Sequence, residues 1–198
     1  MNFVRNESNY PRYLRKHFDE LAHAKNFMEG NIQFSLIESF RSIQGYRRDE
    51  SENQERSVYK MEDGLINSSH TYVNPVYMLC ASGPDADIVK CAVAFGQAKA
   101  IIGNVEEFRC RIREAWKKFE MAFGDEFYSV EYDKDEERDP PPYLLPPHGI
   151  SLWQKKRDYE YENEFRFLLK CKMKAGYCFE KKKVLMLGSI KDIAEIEE

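Results

Sequence analysis

Polar and apolar positions first alternate at Tyr13–Phe18, with Tyr13, Arg15 and His17 on one face of an extended segment and Leu14, Lys16 and Phe18 on the other. Asp19 then stands as a cap for a short helix to about Met28, with Gly30 as its stop. Asn31–Ser35 (NIQFS) reads as a second strand, and strands recur at Ser57–Met61 and Tyr72–Cys80. Asp87–Phe95 is a short apolar run that fits a helix and a strand equally. The strongest signal is a helix from Val105 to about Ala122. There Val105, Phe108, Ile112, Trp116, Phe119 and Phe123 recur at spacings of three and four, behind Asn104 as cap and Glu107 as the second member of a capping box. This pattern predicts a core helix packed on a sheet. Tyr128–Tyr132 alternates as a strand. The clearest strand turns Phe165, Phe167, Leu169, Cys171 and Met173 one way and Glu164, Arg166, Lys170 and Lys172 mostly the other. Val184–Leu187 (VLML) reads as a short buried strand and Ile190–Glu198 as a closing helix. Strands outweigh helices, so the expected fold is α+β, with a mixed, strongly curved sheet and three to four helices.

Two polar stretches interrupt this pattern. Gly45–Arg56 carries Arg47, Arg48, Asp49, Glu50 and Glu52. Asp133–His148 holds Pro140, Pro141, Pro142, Pro146 and Pro147, and reads as a proline-rich surface loop, because proline lacks a backbone donor and disfavours helix at the preceding residue. With 198 residues, the chain suits one domain, 1–198. Apolar residues make up 42%, enough for a packed core, so wholesale disorder is excluded. The charged fraction is 32%, yet the net charge is only −4, which gives no reason to expect nonspecific nucleic-acid binding by the whole chain. Five cysteines without a C-x-x-C exclude a disulfide scaffold and a cysteine-rich zinc knuckle, and they fit a reducing cytoplasm. No apolar run reaches the roughly 18 residues of a membrane span, and the N-terminus lacks a signal-peptide core. The expectation is a soluble cytoplasmic protein.

The four histidines are scattered without metal-binding spacing, so no metal site is expected. A phosphate-binding G-x-x-x-x-G-K-[ST] string and a G-x-S-x-G elbow are both missing. What stands out is Tyr159–Arg166 (YEYENEFR). In an extended chain, Glu160, Glu162, Glu164 and Arg166 share a face, with about 6.5–7 Å between successive carboxylates. Such a row needs water, a cation or a counter-charge, and Arg166 can pair with one of the carboxylates. That is either a solvated strand edge or a cleft in which one carboxylate does chemistry and another orients a nucleophile. Arg15 and His17 could face the same cleft, the guanidinium to bind phosphate and the imidazole to bind a ribose hydroxyl. Ser82, ending VYMLCAS, can hold a neighbouring polar group.

In these motifs the chain resembles a bacterial and phage family defined as a domain of unknown function. Its members have an aromatic-basic strand (YLRKHF), a short helix, GNIQFS, an acidic polar stretch (RRDESE), Cys80-Ala81-Ser82 and, late in the chain, Tyr161-Glu162-Asn163-Glu164-Phe165-Arg166. The likeness spans about residues 11 to 195, although the family's tryptophan-rich helix after Cys-x-Ser is not recognisable in DADIVKCAVAFG. The same order of basic strand, serine strand and Glu-x-Glu strand is similar to that of ADP-ribosyltransferases. That resemblance implies NAD as co-substrate, with Arg15 (alternatively His17) holding the dinucleotide and Ser82 bracing the site. It also implies that Glu164 stabilises an oxocarbenium-like ribose as nicotinamide leaves, beside Glu162. Two other readings stay open. One is a non-enzymatic phage or mobile-element protein that binds and inhibits a host protein. The other is a nucleic-acid-directed protein, since residues 151–183 hold ten lysines and arginines against five acids. The partner is accordingly a host macromolecule, protein or nucleic acid, with no membrane expected.

Overall fold

The structure is a computed structural model that describes residues 10–40, 54–61, 64–71, 75–133, 154–172, 174 and 176–197. In chain order the elements are β1 (Leu14–Phe18), α1 (Leu21–Met28), β2 (Asn31–Leu36), α2 (Ile37–Phe40), β3 (Gln54–Met61), β4 (Gly64–Thr71), β5 (Val76–Ser82) and α3 (Ile88–Phe95). There follow β6 (Ala98–Ile102), α4 (Val105–Trp116), β7 (Ala122–Ser129), β8 (Glu131–Asp133), β9 (Gln154–Lys156), a 3-10 turn (Arg157–Glu162), β10 (Glu164–Cys171), β11 (Lys182–Met186) and β12 (Ala194–Glu197). The fold is α+β, as expected, but the main sheet is antiparallel and not mixed, because every strand in it pairs with neighbours running the opposite way.

The uncharged run VYMLCAS forms β5 at the centre, buried on both faces, as a near-continuous apolar strand requires. One edge pairs along its whole length with β10. Its other edge is shared, by β2 at Tyr77–Met78 and by β1 at Ser82. The strand order β11-β2-β5-β1-β6-β12 therefore branches at β5 into β10 and β7. Every pairing in this eight-stranded sheet is antiparallel, and the parallel pairing occurs in the two-stranded β8–β9 ribbon. A third sheet is the β3–β4 hairpin.

The two faces of the sheet differ. On one, Leu14, Tyr77, Leu79, Phe167 and Leu169 pack with Phe27 of α1 and with Phe108, Ile112 and Trp116 of α4. Phe108 meets Phe167 edge to face at 5.4 Å, and the Trp116 indole N–H donates to the Gly124 carbonyl at 3.1 Å. The other face carries a smaller apolar cluster of Ile37, Val76, Met78, Tyr128 and Leu168. Beyond it, toward the C-terminal end of β5, the same face turns ionic.

Several expectations need correction. The last helix is a strand: β12 pairs with β6 from Ala194↔Ile102 to Glu197↔Lys99. Helix α4 stops at Trp116, and Phe123, beyond the stop, is 67% exposed and not on the buried stripe. Its cap is the expected one, Asn104 Oδ1 accepting the Glu107 N–H at 3.0 Å, but the Glu107 side chain pairs with Arg111 and not back onto the cap. Helix α1 is capped by Glu20, not Asp19, and without a side-chain bond. Strand β11 is an edge, with Leu185 buried but Val184 and Met186 exposed. Asp87–Phe95 resolves as helix α3, capped by Asp87. The acidic stretch at 45–53 and the proline loop after Asp133 lie outside the described residues.

Candidate functional site

Register brings three of the candidate residues into one row. Arg15 on β1 lies opposite Ser82 on β5, and Ser82 lies opposite Glu164 on β10. Directly opposed residues share a face of the sheet, so these three side chains leave from the same side. Two strand spacings put the Arg15 and Glu164 Cα atoms about 10 Å apart. His17, two residues along β1, and Arg166, two along β10, extend the same face.

The Glu-x-Glu segment is not a straight strand, which corrects the expected row of four aligned side chains. Residues 157–162 form a 3-10 turn, and Asn163 has φ +42°, a left-handed conformation that asparagine tolerates better than most residues. Its carbonyl accepts from the Gly83 N–H at 2.7 Å. A Cβ on Gly83 would sit 2.0 Å from Asn163 Oδ1 and 2.6 Å from the Phe165 ring, so any larger residue would displace both side chains. The kink leaves Glu160 exposed and paired with Arg157 at 3.5 Å, apart from the buried glutamates. Glu162 and Glu164 are instead buried and turned toward a common partner.

That partner is Lys155 on β9. Its ammonium donates to Glu162 Oε2 at 2.7 Å and to Glu164 Oε2 at 3.1 Å, and it lies 4.5 Å from the Tyr159 ring centroid. The parallel β8–β9 ribbon sets Lys155 opposite Tyr132, whose hydroxyl accepts the Glu164 backbone N–H at 2.7 Å. Arg166, almost fully buried, donates through Nε to Glu164 Oε1 at 2.8 Å. Burial works to raise the Glu164 pKa, but Arg166 and Lys155 outweigh it and hold the carboxyl well below the usual range. For Glu162 burial prevails over Lys155, and the carboxyl is pushed up to about 7. Neither Lys155 nor Tyr132 stood out in the sequence. The legible trace of Lys155 is the basic Lys155-Lys156-Arg157 beside an acidic run, a charge complement that only the folded ribbon aims inward.

On β1, the His17 Nδ1–H donates to the Gly96 carbonyl at 3.1 Å; a carbonyl can only accept, so this ring nitrogen carries the proton. Gly96 has φ +110°, and a Cβ there would meet the Phe18 carbonyl at 2.0 Å, which makes glycine necessary for this contact. Burial lowers the His17 pKa, so the ring is neutral at pH 7 and Nε2 is a bare acceptor. Arg15 Nη2 donates to the Tyr13 hydroxyl at 2.8 Å. Arg15 Nε and Nη1, His17 Nε2, Glu162 Oε1 and Glu197 Oε2 are buried without a hydrogen-bond partner, and Arg15 Nε forms an ion pair with Glu197 Oε2 on β12 at 4.0 Å. Buried polar groups are ordinarily satisfied, so unbonded atoms on Arg15 and His17, neighbours on one face of β1, are where a polar ligand would find partners. The inventory suits a dinucleotide: guanidinium donors for phosphate, an imidazole acceptor for a hydroxyl, and carboxylates for a cationic group. Ser82 Oγ lies 3.7 Å from Cys91 Sγ, and burial raises the Cys91 pKa, so that thiol is no ready nucleophile.

Several basic residues of the stretch 151–183 have described partners. Lys155 and Arg166 are buried on the glutamates, Lys170 pairs with Glu126, Lys174 with Glu120, and Lys183 covers the Phe119 ring. Among the described residues no group of His, Cys, Asp and Glu is arranged to hold a metal, and no helix is long and apolar enough to cross a membrane. Comparison with protein-family models, with curated proteins and with solved structures finds no match for this chain.

Proposed function

We propose that this protein is an ADP-ribosyltransferase-like enzyme that uses NAD to modify a macromolecular target. The observation that carries the reading is the row Arg15–Ser82–Glu164 across three adjacent strands, with unsatisfied polar atoms beside it. NAD, when bound, supplies an activated glycosidic bond to nicotinamide. Arg15 would hold its phosphates through Nη1 and, in exchange for its ion pair with Glu197, through Nε, and the His17 Nε2 acceptor would take a ribose hydroxyl. Glu164, kept ionised by Arg166 and Lys155, would lie next to the positive charge that develops on the ribose; a preorganised carboxylate in a dry site stabilises such charge strongly. Ser82 would hold the floor between them. The order of basic strand, serine strand and Glu-x-Glu segment, similar to that of ADP-ribosyltransferases, supports the same assignment. A macromolecular target is supported by α3, which packs against β1 and the 3-10 turn next to the site and leaves Val89 and Val93 more than 70% exposed. That apolar surface also favours the second reading, a protein that binds a host protein without chemistry.

The test is incubation with NAD labelled in the adenylate, following free nicotinamide and label transfer. The wild type is expected to release nicotinamide, and Glu164→Gln and Arg15→Gln to lose at least about 100-fold in rate, the scale of removing one electrostatic partner of the reacting centre. Full activity in Glu164→Gln, or none in the wild type with any acceptor, moves the assignment to the binding protein.

A further inference from the structure

Compared oxygen by oxygen, the two buried glutamates are not equivalent. Glu164 Oε1 accepts from Arg166 Nε at 2.8 Å; its Oε2 accepts from Lys155 Nζ at 3.1 Å and from Arg166 Nη2 at 3.4 Å. Glu162 Oε2 accepts from the same Lys155 ammonium at 2.7 Å, but its Oε1 is buried and has no hydrogen-bond partner. A proton on Glu164 would have to displace a cation from an oxygen already bonded. On Glu162 Oε1 it displaces nothing. Two carboxylates that share one ammonium in a dry site cannot both ionise freely, and the one with fewer donors yields.

The other groups that face the pair bear on this division. Arg166 on β10 reaches Glu164 through both of its contacts above and has none with Glu162 among them. Tyr132 on β8 and Tyr161 on the 3-10 turn have raised pKa values, chiefly through burial, and remain neutral, as does Cys91 on α3. Tyr128 on β7, also buried, is neutral for the same reason. Cys80 on β5 donates a hydrogen bond that favours the ionised form of Glu164. Asp87 and Lys90 lie on α3, with Lys90 near the Tyr161 ring, and Tyr159 covers Lys155 itself. Arg15 on β1 stands two strands away in the same row, paired with Glu197 on β12.

We propose that the pair is divided by its cation contacts, with Lys155 as a positioning residue: Arg166 and the shared ammonium keep Glu164 anionic, Glu162 is the group that gains and loses a proton, and Lys155 limits how tightly Glu162 holds it. As a consequence Glu164 stays available to face positive charge, while Glu162 can pass a proton to or from an acceptor. That consequence rests on the NAD reading; the placement of the proton belongs to the protein alone and is measurable without NAD.

The experiment is a carbon-13 NMR titration of glutamate side-chain carboxyls in the full chain, with Glu162 assigned by the signal lost in Glu162→Gln. The wild type should show Glu162 titrating near 7, as burial dictates. In Lys155→Met the same signal should move upward by at least one pH unit, a tenfold gain in proton affinity, and Lys155→Arg should restore it close to wild type. If the Lys155→Met protein does not fold, wild type and Glu164→Gln decide between the possibilities. The near-neutral titration must persist in Glu164→Gln and be absent from Glu162→Gln. The proposal is overturned by a wild-type Glu162 titrating near 4.5, by a near-neutral group that disappears with Glu164→Gln, or by a midpoint unmoved in folded Lys155→Met. Where nicotinamide release is measurable, its pH profile should shift with the same variants. Absence of that release refutes the NAD reading, and the NMR midpoints still decide the role of Lys155.

Discussion

Asn163 sets the geometry of the site with a single backbone angle. Its φ of +42° turns the chain from the 3-10 turn into β10, so that residues on either side of it reach one ammonium. Glycine adopts this region freely and a β-branched residue does not. Asn163→Gly should therefore stay within about 1 kcal/mol of wild type, whereas Asn163→Val should lose about 1–2 kcal/mol or more in urea denaturation. Protonation gives a second handle. Folding raises the Glu162 pKa from 4.5 to about 7, so between those values the folded protein holds a proton that the unfolded chain has released. Its contribution to stability is present in full below 4.5 and is lost as pH rises through 7. Thermal melts should accordingly show the wild type losing stability relative to Glu162→Gln as pH increases across that window; a constant difference would refute the assignment. Glu164 is bound by two cations at a buried position, and removing one partner of such a network costs about 3–5 kcal/mol. Activity of Glu164→Gln has to be read at a temperature where the variant is folded. Glu160→Gln, at an exposed pair with Arg157, should change neither stability nor activity.

At the scale of elements, α4 and β10 are where pattern and structure agree most closely, because each buries a regular stripe in the main core. Trp116 packs edge to face on Tyr77 and against Phe119, so Trp116→Ala should cost about 3–5 kcal/mol. Met186→Thr on the open edge of β11 should stay within about 0.5 kcal/mol. A Trp116→Ala protein as stable as wild type would contradict the packing described. The misread elements have identifiable causes. Ala194-Glu195-Ile196-Glu197 contains good helix formers, yet it alternates, and pairing with β6 settles it as a strand that puts Ala194 in the core and Glu197 beside Lys99. Helix α4 lost its last turn for a tertiary reason: residues after Trp116 must turn back so that β7 can pair with β10. For VLML, apolar composition concealed an edge position that no local pattern reports.

For the molecule as a whole, what matters is the branch at β5, which joins one strand from the start of the chain to one from its last third. Arg15, Ser82 and Glu164 were each visible in the sequence as residue types suited to a nucleotide site. Their single row was not, since register between strands distant in the chain leaves no local trace. Lys155 was hidden for the same reason: a lysine in a basic run reads as solvated until the β8–β9 ribbon turns it inward. The central claim is that the orphaned atoms around Arg15 and His17 are the seat of NAD, and the most direct measurement is the proton NMR signal of the His17 ring, assigned through His17→Gln, during titration with NAD. The NAD reading predicts that this signal shifts and saturates, and that the shift is lost in Arg15→Gln. A His17 signal that stays in place at NAD concentrations well above those in cells would contradict the account.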